Sequence, residues 1–335
     1  MEELFSFWKR ECLQKGVSAV QRKPNTLIVV AGPTASGKTA LAIEIAKTVE
    51  GEIVSADSMQ IYEGLDIATA KPTPEELAAV PHHLVGFLPV ETPFSVADYA
   101  ELARKAINDI LSRGKVPVLC GGTGLYIKAI VDHVQYSEEI TSDEALREQL
   151  RQLAQKEGNE ALWQRLKAID PQTAERIHPN NVGRVIRAIE VMEVSGRSIR
   201  EHEADSLREA CPYHVVEIGL RYHDREKLYE RINRRVDKMV EMGLLEEVHT
   251  ARQSGLTATA AQAIGCKELY GWLDGGETLE EALEKLKKST RHYAKRQLTW
   301  FGADRRIHWI EPDELAEGET PLNRALEILE KEEMA

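Results

Sequence analysis

Apolar residues along this chain follow two rhythms. Short uninterrupted runs rich in β-branched residues occur at 26–30, 52–56, 83–88, 116–120, 214–220 and 307–310, each followed closely by glycine, proline or a polar residue. Runs of that length and composition predict strands buried on both faces. Between them, over 38–49, 95–111, 225–242, 244–252 and 279–301, apolar positions recur every three or four residues, the spacing of amphipathic helices. Alternating strands and helices imply βαβ units, hence an α/β fold with a parallel sheet flanked by helices. From 142 to roughly 203 the strand rhythm vanishes. The pattern there is helical and highly charged, broken at Gly158, Pro171, Pro179 and Gly196. Strand character resumes at 214, so the sequence divides into a first part of the core (1–141), an inserted all-helical subdomain (142–210) and a second part of the core with C-terminal helices (211–335). The insertion is expected to act as a lid at the C-terminal edge of the sheet. An amphipathic segment precedes the first strand.

Composition narrows the class. With 42% apolar and 29% charged residues in 335, the chain can bury a sizeable core, which excludes global disorder and fibrous repeats. No window approaches ~18 consecutive apolar residues and the start Met1-Glu2-Glu3 lacks the basic region of a signal peptide, so no membrane partner and a cytoplasmic location are expected. The cysteines, Cys12, Cys120, Cys211 and Cys266, lie far apart with no C-x-x-C pair, which argues against a disulfide framework or a structural zinc site. A net charge of −12 speaks against a nucleic-acid partner. Its distribution weakens that objection: Lys and Arg concentrate at 176–200, 221–238 and 285–306, which permits a local basic face on an acidic protein.

Gly32, Pro33, Thr34, Ala35, Ser36, Gly37, Lys38 and Thr39 spell G-x-x-x-x-G-K-[ST] between a strand and a helix, the context a phosphate-cradling P-loop requires. Its glycines let the backbone curl so that N–H groups face an anion, Lys38 adds a positive charge and the Thr39 hydroxyl can hold Mg²⁺. Asp57 follows the second strand directly, so a parallel sheet places it at the same edge, where open α/β sheets bind ligands. It is a candidate general base or Mg²⁺ ligand, and also a candidate cap for the next turn. Gly121-Gly-Thr-Gly124 follows a further strand and brings the Thr123 hydroxyl to that edge.

These blocks, with Asp57-Ser-Met-Gln-Ile-Tyr62, Asp66-Ile-Ala-Thr-Ala-Lys-Pro72, Arg176-Ile-His-Pro-Asn180 and Ala294-Lys-Arg-Gln-Leu-Thr-Trp300, resemble the bacterial tRNA dimethylallyltransferase family over about residues 26–310. The resemblance implies a P-loop NTPase-like fold and transfer of a dimethylallyl group from dimethylallyl diphosphate to N6 of the adenosine at tRNA position 37, next to the anticodon, with Mg²⁺ as cofactor. It assigns general-base catalysis to Asp57, with Thr34, Lys38, Thr39 and Thr123 around the leaving diphosphate and Arg225 as the diphosphate-contacting arginine. It further implies that the anticodon stem-loop is touched by Asp57, Ser58, Met59, Gln60, Thr123, Arg147, Gly183, Arg184, Val185, Ile186, Arg187, Gln262, Ala263, Ile264, Gly265, Cys266 and Lys267. Arg184, Arg187, Arg291, Lys295 and Arg296 would grip phosphates. A base stacked in a loop must be extruded to be alkylated, which requires such surrounding contacts. Two positions depart from the family pattern: Cys266 stands where an aromatic Tyr is usual, and Ala68 where Gly is usual. A monomer is expected.

Other readings of the same cradle are a nucleotide or metabolite kinase, a transferase acting on free adenine nucleotides, and a regulatory nucleotide-binding module. A kinase leaves the three basic windows unexplained and offers no strand-terminal Asp beyond Asp57. The free-nucleotide enzyme has less need of Arg184, Arg187 and the basic residues from Arg291 to Arg296.

Overall fold

The computed structural model describes residues 23–135, 143–206, 209–255, 257 and 260–334. The amphipathic opening segment, with Cys12, lies outside the described residues. The first apolar run becomes β1 (Thr26–Ala31), whose six side chains are all buried. β2 (Glu52–Ser55), β3 (His82–His83), β4 (Pro117–Gly121), β5 (His214–Leu220) and β6 (His308–Ile310) join it in one sheet, ordered β3-β2-β4-β1-β5-β6. Every pairing is parallel. All strand C-termini therefore open on one edge, and β1, β2 and β4 lie side by side there.

Helices cover both faces, which is why the central strands carry continuous apolar runs rather than an alternation. α1 (Lys38–Val49) packs Leu41, Ala42 and Ile45 with Ile28, Val30 and Val118 of the sheet. α2 (Pro74–Ala79) and α3 (Val96–Ser112) each begin with a capping box, Thr73 with Glu76 and Ser95 with Asp98. Tyr99 of α3 is buried, stacks on Tyr126 of α4 (Gly124–Val131) at 3.8 Å, and donates its hydroxyl to the Ser55 carbonyl. The expected strand at 83–88 is a correction: of that run only His83 joins the ladder, opposite Val54 while His82 lies opposite Ile53, because Leu84 and Gly86 take positive φ (61° and 55°) and turn the chain away. Leu88 returns as a single bridge to Tyr62.

Two compact units result, one of residues 1–131 and 212–335, the other Asp132–Cys211. The second begins where α4 ends rather than at 142. It consists of α5 (Glu144–Glu157), α6 (Asn159–Ile169), α7 (Pro171–Ala174), α8 (Val182–Ser195) and α9 (Ile199–Ser206) around Leu150, Leu162, Leu166, Val185 and Ile189. Glu190 is wholly buried in that unit, where Arg147 and Arg187 hold it.

In the first unit the chain continues through α10 (Arg225–Glu241), α11 (Leu244–Ser254), a short 3₁₀ turn at Ala260–Gln262, α12 (Tyr270–Leu273), α13 (Leu279–Phe301) and α14 (Pro321–Met334). α10 shows its apolar stripe at Leu228, Ile232 and Val236, one residue per turn.

Candidate active site

Six residues, 32–37, carry the chain from β1 into α1. Gly37 stands at the helix N-cap with φ 97° and supplies no side-chain cap, which leaves the first helical N–H groups facing the loop. An anion is the natural partner for such a terminus. Lys38 reaches back to the Pro33 carbonyl at 3.4 Å and has no ion-pair partner among the described residues. Burial lowers its pKa; the neighbouring Arg235 acts in the same sense, while Cys120 and Asp57 oppose it. The loop opens on a cavity of about 230 Å³ that Thr34, Lys38, Thr39 and Asp57 all line.

Asp57 enters this cavity because β2, separated from β1 only by β4, runs parallel to it and ends at the same edge of the sheet. One carboxylate oxygen accepts from the Met59 N–H at 3.0 Å and the Gln60 N–H at 3.4 Å, so Asp57 does cap the turn that follows. Thr123, delivered by β4, accepts from the Ser58 N–H at 2.9 Å and donates to the Ser58 hydroxyl at 3.2 Å. Gln297 of α13 ties the two loops together. Its carbonyl accepts from Thr34 N–H at 2.9 Å and its amide donates to the Gly122 carbonyl at 2.8 Å. A Cβ on Gly122 would lie 2.2 Å from that amide, so the close approach requires glycine. Gln60 commits its amide to the Thr69 and Ala70 carbonyls. Glu247 of α11 accepts the N–H groups of Asp66, Ile67 and Ala68, each at 2.8 Å. Together these bonds fix the 66–70 wall of the cavity.

Two arginines of α10, one turn apart, complete the cradle. Arg231 donates to the Ala35 carbonyl at 2.9 Å, and Arg235 reaches the Thr34 hydroxyl at 3.4 Å. Arg235 lines the cavity, forms no ion pair among the described residues, and has its pKa lowered chiefly by burial. A desolvated guanidinium without a carboxylate is costly unless an anion arrives. Sequence reasoning placed the diphosphate arginine at Arg225. That residue is exposed at the start of α10 and does not line the cavity, whereas Arg235, one residue before Val236 of the buried stripe, does. Among the described residues no three His, Cys, Asp or Glu side chains converge on a metal position. The oxygen donors that do line the cavity, the Thr39 hydroxyl and the Asp57 carboxylate, are of the hard type Mg²⁺ takes when substrate oxygens and water fill its other positions, so the donor set fits that ion.

Of the residues expected at the RNA, Ser58, Met59, Gln60, Ile264, Gly265, Lys267 and Arg296 line the cavity with Asp57. Lys295 is exposed on α13, and Arg291 donates to Asn233 at 2.7 Å. Gln262 lies in the 3₁₀ turn, and its side chain is outside the described residues. Four expectations need correction, because Val185, Ile186, Ala263 and Cys266 are buried in apolar clusters and offer no side chain to a ligand. Cys266 is fully covered and its thiol is pushed up to about 12 by burial, so it is a packing residue rather than a substitute for a stacking aromatic. In the helical unit Gly183 and Arg184 are exposed on α8, whereas Arg147 and Arg187 are bound to Glu190 at 2.8 and 2.6 Å.

Residues 60–305 match the family model of the IPP transferases. The chain belongs to this family. It is 50% identical over 286 residues to a tRNA dimethylallyltransferase of Geobacillus thermodenitrificans, a match covering 85% of this chain and 90% of the relative. A tRNA dimethylallyltransferase of Acetivibrio thermocellus is 49% identical over 292 residues, covering 87% and 93%. Among solved structures, the tRNA isopentenylpyrophosphate transferase of Bacillus halodurans superposes with a TM-score of 0.67 at 42% identity, covering 92% of this chain and 98% of its own. A eukaryotic dimethylallyltransferase solved acting on tRNA gives 0.74 at 27% identity, covering 90% and 77%. Membership of this family brings a prenyl-transferring activity with it.

Proposed function

We propose that this enzyme transfers a dimethylallyl group from dimethylallyl diphosphate to N6 of the adenosine at position 37 of tRNA, next to the anticodon. The observation that carries the reading is one cavity holding unneutralised cations, Lys38 and Arg235, at a phosphate-type loop and a carboxylate, Asp57, that follows another strand at the same sheet edge. The amine lone pair attacks C1 of the allyl group as the C1–O bond breaks, and the diphosphate leaves with the bonding electrons. Asp57 takes the proton that N6 must lose, a general-base role. Negative charge growing on the leaving group is met by the loop N–H groups, Lys38 and Arg235, fixed in place before reaction. Magnesium held by Thr39, with substrate oxygens and water in its other positions, would add Lewis-acid stabilisation of that charge. The printed names of the relatives favour tRNA over a free nucleotide as acceptor, and that acceptor makes the cytoplasm the place of action.

The test is direct. Labelled dimethylallyl diphosphate is incubated with the enzyme and either unmodified tRNA or AMP. Label in tRNA is expected; label in AMP alone, or hydrolysis of ATP with no transfer to either acceptor, overturns the reading.

A further inference from the structure

Resting on that reading, we infer that Tyr293 is the platform on which the extruded adenine stacks. Tyr293 is the one aromatic side chain among the described residues lining the cavity. It projects from α13 one turn before Gln297, whose side chain lines the same cavity. Burial raises the phenol's pKa, with the charge of Asp57 the next largest cause, so at neutral pH the hydroxyl stays protonated and the ring stands close to the proposed base. The Arg296 guanidinium lies over the ring, 5.5 Å from its centre, and also lines the cavity. The ring thus carries a cation over it at the wall of the cavity. An adenine removed from its stack loses neighbours on both faces, and aromatic rings or guanidinium planes are what replace them in protein pockets. Among the described residues lining the cavity, the planar cationic groups are the Arg235 and Arg296 guanidiniums, the first set at the phosphate loop and the second lying over the Tyr293 ring, so Tyr293 is the one aromatic face there.

The experiment measures binding rather than turnover. An anticodon stem-loop RNA with adenine at the target position is compared with the same RNA made abasic there, using the full chain. Wild type should bind the adenine form roughly tenfold or more tightly, the range for one base stacked on one aromatic. Tyr293→Leu should bring the two affinities together by weakening only the adenine form, while Tyr293→Phe, which keeps the ring, should preserve the preference. Inorganic diphosphate binding in both variants should match wild type and shows that the cradle is folded. A preference retained in Tyr293→Leu, lost in Tyr293→Phe, or absent from wild type overturns the inference, as does loss of diphosphate binding in Tyr293→Leu. Failure of wild type to transfer label to the RNA would remove the underlying function instead, so the two failures are distinct.

Discussion

At the scale of single residues, Asp57 holds the Met59 and Gln60 N–H groups with the same carboxylate that faces the cavity. Asp57→Ala would confuse a lost base with an unfolded turn. Asp57→Asn keeps a carbonyl oxygen for the turn and loses only the proton acceptor, so kcat should fall about 10²- to 10⁴-fold while inorganic diphosphate binding stays within a few-fold. Rapid-quench turnover and calorimetry check the pair, and wild-type turnover in Asp57→Asn excludes it as the base. Arg235 makes a second residue-scale prediction: Arg235→Ala should weaken diphosphate binding by tenfold or more, the loss of a desolvated charge partner, and Arg225→Ala should change it little. Asp57 was legible because it ends a strand. Arg235 was not, because α10 reads from its sequence as a basic run. Only its stripe of Leu228, Ile232 and Val236 hinted which face turned inward. Arg225 lies about 15 Å farther along the axis and roughly a quarter-turn around it, by the helical rise and turn, and nothing local says where along α10 the phosphate loop lies.

At the scale of elements, the strands and helices follow the apolar rhythm closely, and the misreading at 83–88 marks where an apolar run is bent by positive φ rather than paired. What the rhythm does not disclose is how an edge of the sheet is secured. Glu52, first residue of β2, is buried, yet Arg113 at 2.5 Å, Lys115 at 2.7 Å and His83 at 2.8 Å converge on it from the end of α3, the start of β4 and β3. The Arg113 hydrogen bond is the main cause that holds its carboxyl well below the usual range, with Lys115 and His83 adding to it against the cost of burial. A depressed folded pKa gives stability that is complete above the unfolded carboxyl value and disappears as pH falls through the folded one. Acid should therefore destabilise the wild type increasingly below about pH 4.5, the ordinary value. Glu52→Gln should be less stable at pH 7, by roughly 2 kcal/mol since a buried acceptor of charged donors is weakened, and its melting temperature should vary less with acid pH. Parallel pH profiles for the two proteins would refute the role assigned to Glu52.

For the whole molecule, the formal charge of −12 and a polyanionic substrate are reconciled by where the free cations lie. The basic windows were legible as windows, but a window does not distinguish a cation facing solvent from one already neutralised. In the helical unit Arg147 and Arg187 close on the buried carboxylate of Glu190, which also accepts the Asp143 N–H at 2.9 Å. Arg184, three residues from Arg187, is exposed and forms no ion pair among the described residues. In the other unit Lys295 is exposed on α13 in the same condition. Counterion release counts only the phosphates that such free cations neutralise, whatever the net charge. tRNA affinity should thus fall steeply with salt, and Arg184→Ala and Lys295→Ala should each reduce the slope of log Kd against log salt by about one. Arg187→Ala should act differently. It strips one of two guanidinium partners from a fully buried carboxylate, so its main effect should be a lower melting temperature, with the salt slope of the protein that remains folded close to wild type. Titrations of tRNA between 50 and 200 mM salt, the range over which phosphate contacts are resolved, together with thermal melts, separate the two classes. A slope lowered by Arg187→Ala as much as by Arg184→Ala, with no loss of thermal stability, would mean that Arg187 leaves Glu190 to bind phosphate.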